Sequence, residues 1–189
     1  FGTLFAIKRL CYITRHNPEE FSDIVKIIQD LKNYQDSEES PCDQRIYFGV
    51  ICALESVLLH TDKTSILENG LKLLIQLTGF YSQEIKQRVI VAFVNLYRSE
   101  RTVLQVAIHQ TLELLQVKND TDLKEIIQHE WQALGDREID LNAIELEPHE
   151  KRLSQNVLKY LIRDLGNIRS ESQELNRGVA STVMLCDMV

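Results

Sequence analysis

A pattern in the middle of the chain is written twice. Glu84-Ile85-Lys86-Gln87, followed by Phe93 and Leu96, recurs 38 residues later as Asp122-Leu123-Lys124-Glu125, followed by Trp131 and Leu134. An earlier stretch, Gln44-Arg45-Ile46 with Gly49 and Val50, matches Gln87-Arg88-Val89 with Ala92 and Phe93, 43 residues on. A unit that recurs near every 40 residues and holds two helices cannot bury its apolar face alone, so successive units must stack. Phe93 and Trp131 are accordingly expected at matching buried places in successive units.

The units are helical. After Ser82, residues Ile85, Val89, Ala92, Phe93 and Leu96 fall on one face at helical spacing. Val103, Val106, Ala107, Leu112 and Leu115 do the same after Ser99, as do Leu153, Val157, Leu161, Leu165 and Ile168 near the end. No sustained two-residue alternation bounded by turn residues occurs, and 7 Gly and 3 Pro in 189 residues leave little room for tight turns. Asn17-Pro18-Glu19-Glu20 and Ser40-Pro41 place a cap and a first-position proline at helix starts, while Ser82, Ser99 and Asn119 are further caps. Gly79, Gly135 and Gly166 stand where helices should stop. The pattern predicts helices near 2–15, 18–35, 41–60, 65–79, 83–98, 101–116, 120–134, 149–165 and 171–187. Short linkers between most of them force neighbours to pack antiparallel.

The acid-apolar-basic opening of the later helices, Glu84-Ile85-Lys86 and Asp122-Leu123-Lys124, resembles the second helix of a HEAT repeat. The resemblance implies an all-α, right-handed α-solenoid of antiparallel helix pairs, of the HEAT/armadillo kind. Its units would be 18–60, 65–98 and 101–134, with 1–15 a trailing helix of an earlier unit and 149–189 a further, truncated pair. The match covers about two-thirds of the chain. It departs from the family where Cys42-Asp43 replaces the basic position and where the first helix lacks its usual proline.

Between 136 and 148 the regularity breaks. Gly135 to Pro148 carries five acids and one arginine, interleaved with Ile139, Leu141, Ile144 and Leu146. It reads either as an irregular inter-repeat connection or as an acidic-hydrophobic docking segment for a basic partner.

Chemistry-bearing patterns are sparse. Cys11, Cys42, Cys52 and Cys186 lie in apolar helical patterns without C-x-x-C pairing, which suits buried reduced thiols of an intracellular protein, nuclear or cytoplasmic. None of His16, His60, His109, His129 and His149 has a second histidine three to five residues away, so no metal site is expected. Nucleophile elbows, phosphate loops and dinucleotide fingerprints are missing from the sequence, so neither an enzyme nor a cofactor is expected, nor a small-molecule substrate. No apolar run is long enough to span a membrane. The apolar patterns reaching Phe1 and Val189 read as cuts through a longer protein.

Partner binding is what remains. Glu84, Arg88, Val91, Asn95 and Arg98 share the stripe opposite the core face of one second helix, and Arg45 takes the place of Arg88 one unit earlier. In solenoids of the resembled kind this stripe lines the concave side. With Ile139, Asp140, Leu141, Ile144 and Glu145 of the acidic segment, it forms the candidate surface for a protein partner, a peptide or a helix. The plainer alternative has Arg45 and Arg88 bridging to acids on neighbouring units, which would make Arg88→Ala nearly neutral for folding. A basic set follows: Arg152, Lys159 and Arg163 fall nearly on one side of a helix, a candidate phosphate strip. Dilution by Asp164, Glu171 and Glu174 makes a solvated face the plainer account, and a net charge of −7 argues against a general nucleic-acid binder. The leading expectation is a non-catalytic scaffold in a larger complex. A chromatin- or nucleic-acid-associated solenoid ranks second, and the regulatory arm of a large kinase-like enzyme third.

Overall fold

The computed structural model describes residues 44–79, 82–118, 120–132 and 144–169, with residue 44 and residues 164–169 described by backbone alone. They form six helices: α1 Gln44–His60, α2 Thr64–Leu77, α3 Gln83–Arg98, α4 Thr102–Leu115, α5 Thr121–Gln132 and α6 Pro148–Arg169. No strand occurs among the described residues, so the described part is all-α. The helices expected at 2–15, 18–35 and 171–187, the proline-opened caps before residue 43, and Asn119 and Gly135 lie outside the described residues.

Each apolar stripe is buried where its side chains are described. Ile85, Val89, Ala92, Phe93 and Leu96 on α3 are at most 3% exposed, and they join α1 residues Ile51, Leu54 and Leu58 in one apolar core. Removing each of these side chains larger than Ala92 from water contributes about 1.5–3 kcal/mol before chain entropy is charged against it. α3 is the centre of the arrangement: it packs against α1 on one side and α5 on the other, and also touches α2 and α4. Contacts advance in the same sense along both partners. Arg88 meets Cys52 and Asn95 meets Glu55 on α1, while Lys86 meets Asp120 and Tyr97 meets Trp131 at the two ends of α5. Thus α1, α3 and α5 run in one direction, side by side.

The connectors explain where helices turn. Ser82 caps α3, its hydroxyl accepting from the Ile85 amide at 3.4 Å. Ser99 does not open α4 as its position before an apolar stripe had suggested. Its hydroxyl donates to the Leu96 carbonyl at 2.6 Å, closing α3, and α4 starts from Arg101 without a side-chain cap. Between them Glu100 takes φ 60°, a left-handed turn that reverses the chain in three residues. Arg101 then reaches back to α1, donating to the Leu58 carbonyl at 2.8 Å and so satisfying one of the orphan acceptors that end that helix. α5 opens from Asp120, whose carboxylate accepts from the Leu123 amide at 3.0 Å. α1 and α2 approach closely at Gly70, where a Cβ would stand 2.6 Å from the Leu58 side chain.

α6 does not take the place beside α5. It lies across α2 and α4, burying Leu153, Val157 and Leu161. Its start is well built: Pro148 occupies the first turn, and Glu150 reaches back to accept from the Glu147 amide at 3.0 Å. It also continues through Gly166 to Arg169 instead of ending there. A single interior glycine costs only about 1 kcal/mol relative to alanine and need not stop a helix.

Trp131 differs from expectation too. Phe93 is fully buried, whereas Trp131 is half-buried, its ring 5.1 Å from Tyr97 and edge-on to His109 at 5.4 Å. The contacts between α3 and α5 join residues 34 apart, one helical turn short of the 38-residue sequence match. The fully buried residues of α5 are instead Leu123 and Ile127.

Candidate functional site

The stripe on α3 stands beside α1 and is tied to it. Arg88 donates to Glu55 Oε2 at 2.7 Å and to Cys52 Sγ at 3.1 Å, and Asn95 donates to the second oxygen of Glu55 at 2.9 Å. Glu55 is therefore held by two side chains two helical turns apart on α3, a bidentate lock between α1 and α3. Partial burial by itself disfavours the Arg88 cation; Cys52 and Glu55 more than reverse that, and the pKa rises. Val91 sits half-buried between Arg88 and Asn95. Arg45, Glu84 and Arg98 are exposed, and Glu84 accepts from the Ser82 hydroxyl at 2.8 Å beside the α3 cap. Cys52 is a free, half-buried thiol.

At the other end of α3, Lys86 crosses to Asp120 before α5 in an ion pair whose lysine side chain is 9% exposed. Burial pushes the Asp120 carboxyl up. Hydrogen bonds from Lys86 and the Leu123 amide, with the charges of Lys86 and Lys118, outweigh this and hold it below the usual carboxylate range. Neither Glu55 nor Asp120 could be singled out in the sequence, since a pair 33 or 34 residues apart leaves no local signature.

Of the acidic segment, Ile139, Asp140 and Leu141 lie outside the described residues. Ile144 and Leu146 are half-buried, with Leu146 packed on the core, and Glu145 is exposed. Arg152, Lys159 and Arg163 are all exposed on α6, joined by Lys151.

The face formed by α2 and α4 is covered by α6, while Arg45 on α1, Glu84, Gln87 and Arg98 on α3, and Glu125 and His129 on α5 are exposed. Among the described residues no three His, Cys, Asp or Glu converge in a way that could hold a metal ion. None of the described helices is long and apolar enough to cross a membrane. No protein-family model, no curated protein and no solved structure matches this chain.

Proposed function

We propose that the chain is a non-catalytic scaffold, a stretch of α-solenoid made of HEAT-like antiparallel helix pairs, that binds a protein partner on the open layer of second helices. The observation that carries this reading is the register of that layer. α1, α3 and α5 run the same way, linked at Glu55–Asn95 and at Lys86–Asp120 with separations of 40 and 34 residues. Connectors of a few residues support α2 and α4 running back in a second layer, as they would in stacked helix pairs.

Two features support the partner surface. α6 occupies the side of α2 and α4, which leaves the α1/α3/α5 side, among the described helices, as the broad open face. That face is also stiffened at its middle by the Arg88–Glu55–Asn95 lock, so its exposed side chains are held in fixed relation across units. A prearranged surface loses less entropy on binding than a mobile one.

The test is site-specific cross-linking in cells. A photoreactive residue replaces Gln87 on α3, Glu125 on α5 or, as control, the exposed Asn69 on α2. The expected result is one protein captured from both Gln87 and Glu125 after nuclease treatment and not from Asn69. Adducts that are identical at all three sites, or that disappear with nuclease, would rule out this surface.

A further inference from the structure

We infer that the outer face of α6 is a docking strip for the backbone of duplex nucleic acid. Lys151, Arg152, Lys159 and Arg163 are all exposed, and none is paired with a described acid. At 100° per residue they fall within one third of the helix circumference, opposite the buried Leu153, Val157 and Leu161. From Lys151 to Arg163 the row is about 18 Å long at 1.5 Å per residue.

The strip cannot roll. Three hydrogen bonds fix the rotation of α6 about its axis: Ser154 to Gln110 on α4 at 2.7 Å, Asn156 to Glu68 on α2 at 3.0 Å, and Gln76 on α2 to the Tyr160 hydroxyl at 2.7 Å. Lys72 beneath the Tyr160 ring, 5.8 Å from its centroid, adds a fourth tie. Of the two acids of α6, Glu150 is drawn back onto the Glu147 amide, and Asp164 lies past the end of the row. The described outer face therefore presents cations in a protein whose net charge is −7.

The make-up of the face selects the partner. A protein interface draws its affinity from apolar and aromatic anchors at its centre, and this face offers Gln155 between the cations and a half-buried Ile162 instead. A membrane-surface helix needs its apolar side free to enter lipid, and here that side is buried against α2 and α4. Without an aromatic side chain on the strip there is nothing on which unpaired bases could stack. A linear row of charges on long aliphatic stems suits phosphates along a duplex, bound without regard to sequence.

The measurement is fluorescence anisotropy of the full chain with a labelled 20-base-pair duplex, from 50 to 200 mM salt. Four phosphate contacts give a slope of log K against log salt of about −3.6, a loss of about 150-fold across that range. Changing any one cation to Gln should reduce this to about 40-fold. Changing all four should remove binding at 50 mM salt with circular dichroism and melting unchanged, because all four side chains are exposed. Failure of the wild type to bind duplex at 50 mM salt would overturn the inference. So would an unaltered slope in the fourfold variant. Strip-dependent binding of polyglutamate or anionic vesicles without duplex binding would assign the strip to an acidic protein or a lipid surface, and would equally overturn it.

Discussion

Asp120→Asn separates two roles that this side chain combines. Asn keeps an oxygen for the Leu123 amide and is as good a helix cap as Asp, so the start of α5 should survive. What disappears is the negative charge opposite Lys86, whose side chain is 9% exposed against 27% for Asp120. Breaking a fully buried pair from one side costs about 3–5 kcal/mol, whereas exposed pairs contribute about 0–1 kcal/mol. This pair lies between those limits, with its cation the more deeply buried partner, which places the loss near 2 kcal/mol. The sign with pH follows from the depressed carboxyl. A group whose folded pKa lies below its unfolded value, about 3.9 for Asp, stabilises the fold at higher pH, and that contribution is lost as pH falls through the folded value. The gap between wild type and Asp120→Asn should therefore be full at pH 7 and shrink once the pH drops below about 4. Urea unfolding read by circular dichroism supplies the stability, and Trp131, the sole tryptophan, reports α5 separately. In a Lys86→Met background the same Asp120→Asn change should cost much less, because no buried cation is left unmatched. A loss under about 0.5 kcal/mol at pH 7, or a loss equal in both backgrounds, would refute the reasoning.

Three further outcomes follow from packing. Phe93→Ala, at a fully buried position, should cost about 3–5 kcal/mol by equilibrium unfolding, and Trp131→Ala, half-buried, about half of that. Arg88→Ala should cost about 1 kcal/mol rather than nothing, since Glu55 keeps Asn95 but loses its charge partner; a double-mutant cycle with Glu55→Gln measures the coupling. Val157→Glu sets an unpaired charge at a buried position between α6 and its two supports. It should free α6 and expose α2 and α4 to hydrogen exchange while α1 and α3 stay protected.

Most of the described helices are legible in the sequence because their apolar residues keep a 3.6-residue rhythm and several starts carry side-chain caps. Ser99 shows the limit of that grammar: a serine before an apolar run can serve the helix behind it, and only the direction of its hydroxyl decides. Gly166 shows another, because one glycine within a long amphipathic helix is tolerated. The 38-residue match located α5 but misplaced its contact with α3 by a turn, a shift that keeps residues on nearly the same face and so escapes pattern reasoning. Arg88 was visible as a member of the outward stripe, but its partner Glu55 was not. Helical spacing gives the side of a helix and is silent on what lies opposite. The seat of α6 was the least legible element. A stripe of Leu153, Val157 and Leu161 states that the helix must be covered without naming the groove.

That seat changes how the chain comes apart. In a simple array each unit touches only its neighbours, so an end can fray without disturbing the far side. Here Asn156 and Tyr160 are fastened to Glu68 and Gln76, 88 and 84 residues earlier, and Ser154 is fastened to Gln110. α6 thus acts as a clasp: α2 and α4 cannot open independently while it is closed. Pulled from its ends, such a chain should resist as one block and then yield abruptly when the clasp slips, instead of unzipping pair by pair.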